Sequence, residues 1–177
     1  MNAPRPALWK KALGFWAIFM IFYFAYKFFP NPVFAIFCGI TESNFQHFKA
    51  TFFAWIFVNV LEFGLYRAQI GDRETWFYSR LGTAIFLPWF VFLLWYLCAA
   101  FYGQMPSIPL EIIYANLMTV IVGAFGVIFE RGLAQIKYAG ELKFVLWALF
   151  LASLALYLIF TFVKLPWADV FIEPDWK

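Results

Sequence analysis

The stretch Gly39 to Phe53, GITESNFQHFKATFF, brings Glu42, Ser43, Gln46, His47 and Lys49 together in a chain that is 65% hydrophobic. A carboxylate, an imidazole and an ammonium this close in sequence are groups that carry protons, ligate cations or hold a polar ligand. Ser43 and Gln46 have capping-box spacing, the serine oxygen accepting from an early helical N–H while the glutamine reaches back. Glu42 would then lie beside the positive end of that helix, where a carboxylate gains several tenths of a kcal/mol. Lys49, deeper in, is expected to snorkel back to the headgroups. His47, the single histidine, needs a partner at the same level: Glu42, Glu111, Asp169 or Glu173. Held by one of them it is a proton relay or a cation ligand, or else it ties the helix to the tail. The candidate ligand-binding set is therefore Glu42, Ser43, His47, Lys49, Glu111 and Asp169, and one histidine cannot build a three-histidine zinc site.

A second charged group lies further along. Glu62 is within about one turn of Arg67, and Arg80, Glu130 and Arg131 fall at the same end of neighbouring apolar runs. An ion-pair cluster and a proton-handling carboxylate are the two readings. Asn59 and Asn116 lie inside apolar runs, where such side chains hydrogen-bond between helices. Ala115, Thr119, Gly123 and Gly126 form a small-residue stripe suited to close helix approach, within the chain or between copies. Pro88 is expected to kink its helix and free a carbonyl. No Gly-rich phosphate loop, nucleophile elbow, metalloprotease helix or paired-cysteine motif occurs. The reading therefore leans away from an enzyme, and the sequence names no cofactor.

The elements that must position these groups follow from composition. With 26 Phe, 9 Trp and 9 Tyr among 177 residues, 13% charge and a mean hydropathy of +0.78, too few polar side chains exist to cover a soluble surface. A helix crosses the hydrocarbon core in about 20 residues, and five segments qualify: 11–29, 43–66, 76–102, 110–129 and 144–163. The run Val33 to Ile40 is too short to cross and is set off by Pro30 and Pro32, so a re-entrant or interfacial segment is expected there. The predicted fold is an all-α integral membrane protein, a five-transmembrane-helix bundle forming a single domain over residues 1–177.

Arg5, Lys10 and Lys11, then Arg67, Arg73 and Arg80, then Arg131, Lys137 and Lys143 alternate with loops poor in Lys and Arg. That puts the N-terminus in the cytoplasm and the C-terminus outside, in the cell (plasma) membrane. The basic residues form no single patch, so nucleic acid is not an expected partner. The lipid bilayer is, with a membrane-protein partner or a homo-oligomer alongside it. Cys38 and Cys98 both fall near the outer face, and a bond between them would need their α-carbons within about 7 Å.

The pattern NPVFAIFCGITESNFQHFK resembles the signature of a prokaryotic domain-of-unknown-function family of small integral membrane proteins, in which Asn-Glu-Ser, an aromatic, Glu-His and Lys open the second span. Asn31, Pro32, Glu42, Ser43, His47 and Lys49 match it; Thr41 and Gln46 stand where the family has Asn and Glu. The tail VFIEP, Val170 to Pro174, is similar to the family's Phe-x-Asp-Pro ending. The resemblance implies fold and membrane location, and that the opening stretch and the tail form one feature. A fainter similarity runs to progestin-receptor-like and ceramidase-like zinc-dependent membrane hydrolases, whose sites need several histidines. The leading functional expectation is binding or passage of a small ligand, cation or proton at an outward-facing polar pocket. The alternatives are a structural or assembly subunit of a larger membrane complex and, more remotely, zinc-dependent hydrolysis.

Overall fold

The computed structural model describes residues 7–103, 107–163 and 168–172. Its helices are α1 (Leu8–Phe28), α2 (Pro32–Phe37), α3 (Asn44–Tyr66), α4 (Arg73–Tyr102), α5 (Ile108–Leu133) and α6 (Gly140–Phe162), followed by a single 3-10 turn at Asp169–Phe171. No strand occurs among the described residues. All but α2 are long and apolar enough to cross a membrane. Even α1, at 21 residues, is about 31 Å long against a hydrocarbon core of about 30 Å. The expected spans are present with their ends shifted by a few residues.

The helix α3 is the central element, packing against α1, α2, α4 and the 3-10 turn. Phe45, Phe52, Phe53, Trp55 and Val58 along it join Phe15, Phe19, Leu87, Val122, Val127 and Tyr157 in one core. Most positions on these helices are apolar, so burial is decided by neighbours and not by an amphipathic pattern. The peripheral helix α6 packs its backbone mainly against α4 and α2, reaches α3 through side chains such as Tyr157 against Phe52, and is the least buried of the five long helices.

The stripe on α5 is used inside the chain. A Cβ at Gly123 would stand 3.1 Å from the Ala12 carbonyl oxygen and 3.2 Å from the Ala12 Cα, so the backbones of α1 and α5 touch there. At Gly126 it would stand 2.8 Å from the Trp55 ring. These two glycines let α1 and the Trp55 indole approach, as small residues do in packed membrane helices.

The short helix α2 realises the expected non-crossing segment. The Asn31 side chain accepts from the N–H groups of Val33 and Phe34, each at 3.1 Å, and Pro32 opens the first turn, where its missing N–H costs nothing. At six residues it rises only about 9 Å. The chain then returns extended, with the Gly39 N–H donating to the Phe22 carbonyl of α1 at 3.1 Å. Backbone of this kind is tolerated at membrane depth only where the protein itself satisfies it.

A cavity beside His47 and a charge cluster at the other end

Two polar regions sit at opposite ends of the bundle. At the end where α1 begins, called the basic end below, Lys11 is buried among carboxylates from two other helices. Its ammonium donates to Glu62, to both Glu130 oxygens at 2.7 and 2.8 Å, and to Asn59 Oδ1 at 2.6 Å. Arg80 bridges the same two acids, at 2.7 Å to Glu62 and 3.1 Å to Glu130. Two cations and two anions thus cancel in a site from which water is largely excluded, the condition under which buried ion pairs hold. A cavity of about 30 Å³ beside them has room for about one water molecule.

The expected inner cluster is therefore assembled in part. Glu62, Arg80 and Glu130 meet, and Arg131 lines the adjoining small cavity. Arg67 does not join them: it is exposed at the C-cap of α3, beyond the last turn that carries Glu62. Lys11 completes the group, and Asn59 belongs to it, donating to the Trp55 carbonyl at 2.8 Å while accepting from Lys11. A helical-phase signal was available, since Lys11 lies four and eight residues before Phe15 and Phe19, the face of α1 that packs.

At the opposite end, called the α2 end below, α1, α3, α4 and α5 enclose a cavity of about 320 Å³. His47 lines it, with Phe19, Tyr23, Asn44, Thr51, Trp95, Asn116 and Thr119 among its neighbours. The His47 ring lies nearly parallel to Tyr23 and Phe19, at centroid distances of 5.4 and 6.4 Å, with Trp95 tilted by 30° at 6.5 Å. Glu42, just before the first turn of α3, lies within electrostatic reach of the imidazole. Phe24 on α1 and Ile112 on α5 also line the cavity while being 41% and 56% exposed, so it reaches the outside of the bundle between those two helices.

Glu42 works at the rim. Its carboxylate accepts from the Tyr23 hydroxyl and pairs with Lys27 at 2.9 Å. Partial burial pushes this carboxyl up, but the Tyr23 hydroxyl, the Lys27 ammonium and nearby His47 outweigh that and hold it below the usual carboxylate range. Glu111, in the first turn of α5, lies within electrostatic reach of Tyr23 and outside the cavity lining.

Ser43 is the N-cap of α3, yet no capping box forms: its side chain makes no cap hydrogen bond and accepts from Thr41 Oγ1 at 3.1 Å. The Gln46 side-chain oxygen faces the Ile40 N–H at 3.5 Å instead. The returning backbone after α2 competes for these side chains, which the spacing alone did not register.

Lys49 does not snorkel. It is 0% exposed and donates to the Ala35 carbonyl at 2.7 Å and Thr161 Oγ1 at 3.0 Å. Ala35 lies in the last turn of α2, where carbonyls lack helical partners and the dipole favours a cation. Lys49 therefore fastens α2 to α3 and α6, away from the cavity. Cys38, the residue after α2, is a buried free thiol, raised by burial and lowered in smaller part by Lys49. Asp169 begins the 3-10 turn packed on α3, with no described side chain, and Glu173 lies outside the described residues.

The arrangement defines an all-α bundle of five membrane-length helices with an aromatic-walled cavity at one end and a neutralised ion cluster at the other. No family model, no curated protein and no solved structure matches the chain. Among the described residues, no three His, Cys, Asp or Glu side chains stand together as a metal site would require.

Proposed function

We propose that the chain is an integral protein of the cell membrane that binds a small molecule in the cavity at the α2 end, with His47 as its polar contact. The observation that carries this reading is the cavity itself. At about 320 Å³ it is within the size range of ligand sites, and like them it is mostly apolar with a few convergent polar groups. It encloses the one residue of the expected binding set, His47, whose chemistry suits ligand contact best. Glu42 acts through the wall residues Tyr23 and Lys27, while Ser43 and Lys49 serve the local fold. Among the described residues no carboxylate lines the cavity, which favours an uncharged occupant over a cation. The orientation with the cytoplasm at the basic end, and the resemblance to the small prokaryotic membrane family, belong to the same proposal.

Native mass spectrometry of the protein taken gently from its own membranes tests it. An adduct of small-molecule mass on the wild type, absent from Ala115→Phe, is expected, because Ala115 lines the cavity and a phenyl ring would fill part of it. A bare wild-type chain, or an adduct retained by the variant, would sink the reading.

A further inference from the structure

The cavity's hydrogen-bonding inventory narrows its occupant further, an inference that rests on the cavity being a binding site. The hydroxyl hydrogens of Tyr23, Thr51 and Thr119 on its walls are already spent within the chain. The Tyr23 hydroxyl donates to Glu42, Thr51 Oγ1 to the His47 carbonyl at 2.8 Å, and Thr119 Oγ1 to the Ala115 carbonyl at 2.8 Å. One amide hydrogen of Asn44 goes to the Tyr96 hydroxyl at 3.1 Å and one of Asn116 to the Ile112 carbonyl at 2.8 Å. The Lys27 ammonium, at the rim, pairs with Glu42. A neutral imidazole has one N–H and one bare nitrogen, so His47 brings one acceptor nitrogen to the cavity lining.

Shape adds a second constraint. Phe19, Tyr23 and His47 form a platform of rings within 24° of parallel, which favours a flat aromatic guest stacked with an offset. The opening beside Phe24 and Ile112 lies on the flank of α1 and α5, the route of a molecule dissolved in the bilayer. Two antiparallel contacts close that flank deeper in, Trp16 Nε1 to Asn116 Oδ1 at 2.9 Å and the backbone touch at Gly123.

We infer that the cavity takes a flat, lipid-soluble aromatic molecule bearing a hydroxyl group, a phenol or quinol in type, whose O–H donates to the bare nitrogen of His47 while any tail leaves between α1 and α5. A site that offers acceptors discriminates strongly against an analogue that has no hydrogen to give, because its buried polar atom is then left unpaired.

Equilibrium binding to the full chain in lipid nanodiscs, corrected with empty nanodiscs, tests this with 1-naphthol against 1-methoxynaphthalene, which has the same flat ring system but no O–H. The wild type is expected to prefer naphthol by about tenfold or more, one hydrogen bond's worth. His47→Phe, which keeps the ring platform and removes the acceptor, should abolish that preference at unchanged thermal stability. Equal binding of the two compounds would overturn the hydroxyl assignment while leaving the cavity as a binding site. A naphthol preference that survives His47→Phe would overturn the role of His47. Binding of neither compound would overturn the aromatic class, even if native mass spectrometry finds another adduct; only a bare chain in that measurement removes the site itself.

Discussion

The two buried lysines show how differently the ends of this bundle are built. Lys11 is held by two carboxylates and an amide oxygen, and the Arg80 guanidinium shares the same two acids. Lys49, at least as deeply buried, has a backbone carbonyl and a hydroxyl, with the C-terminal end of α2 supplying the negative pole. At the basic end, charge is neutralised by other side chains and α1, α3, α4 and α5 close on one another. At the α2 end, charge is used to pin an irregular segment, and beside it the same four helices part to leave the cavity. One end is a clamp; the other has room for a guest.

The comparison predicts its largest effect at Lys11. Lys11→Met leaves Glu62 and Glu130 facing each other with Arg80 as their remaining cation. Removing one member of a buried ion group costs about 3 to 5 kcal/mol, to be read from denaturant or thermal unfolding in a fixed detergent. Lys11→Met combined with Glu130→Gln should recover much of the loss, since the anion that lost its partner is removed as well. Lys49→Met, which strands no carboxylate, should cost less than Lys11→Met. A larger loss at Lys49 would mean that pinning α2 matters more than neutralising the basic end.

Packing gives the next contrast. Gly126→Ala adds one methyl whose carbon would sit 2.8 Å from Trp55 Cη2 and 3.0 Å from Leu87 Cδ1, both side chains being fully buried. Overpacking of this kind costs about 1 to 3 kcal/mol. Ala115→Phe, a far larger addition on the same helix, should change stability by less than about 1 kcal/mol because the cavity receives the ring. Equal penalties at the two sites would show that the cavity closes up in the membrane.

How far this contrast could be read beforehand depended on the kind of signal. Span positions were legible because length and hydropathy set them, and α2 because Pro30 and Pro32 and its shortness forbid crossing. Glu62, Arg80 and Glu130 could be grouped because their charges recur at one end of successive spans. Lys11 was hidden beside Lys10, where two adjacent lysines read alike as charges that set orientation although helical phase buries one and exposes the other. The cavity was out of reach because it arises where helices fail to meet, and with apolar residues on all faces the sequence does not mark which ones meet. Lys49 was misjudged because its partner is a backbone carbonyl of α2, and no side-chain pattern announces a backbone acceptor.

The smallest effect belongs to the rim of the cavity and depends on pH. Because Tyr23, Lys27 and His47 hold the Glu42 carboxyl below its ordinary value of 4.5, the folded state favours the ionised form more than the unfolded chain does. The stability this confers is present above that ordinary value and fades as pH falls through the lower, folded one. Lys27 is more than half exposed, so screening keeps the pair's contribution small. Thermal unfolding should therefore show the wild type losing part of its advantage over Glu42→Gln below about pH 4.5, by a midpoint shift of about 2 °C. A constant difference between the two proteins across that range would mean that the Tyr23 hydrogen bond matters through its geometry, with the charge on Glu42 contributing nothing to the rim.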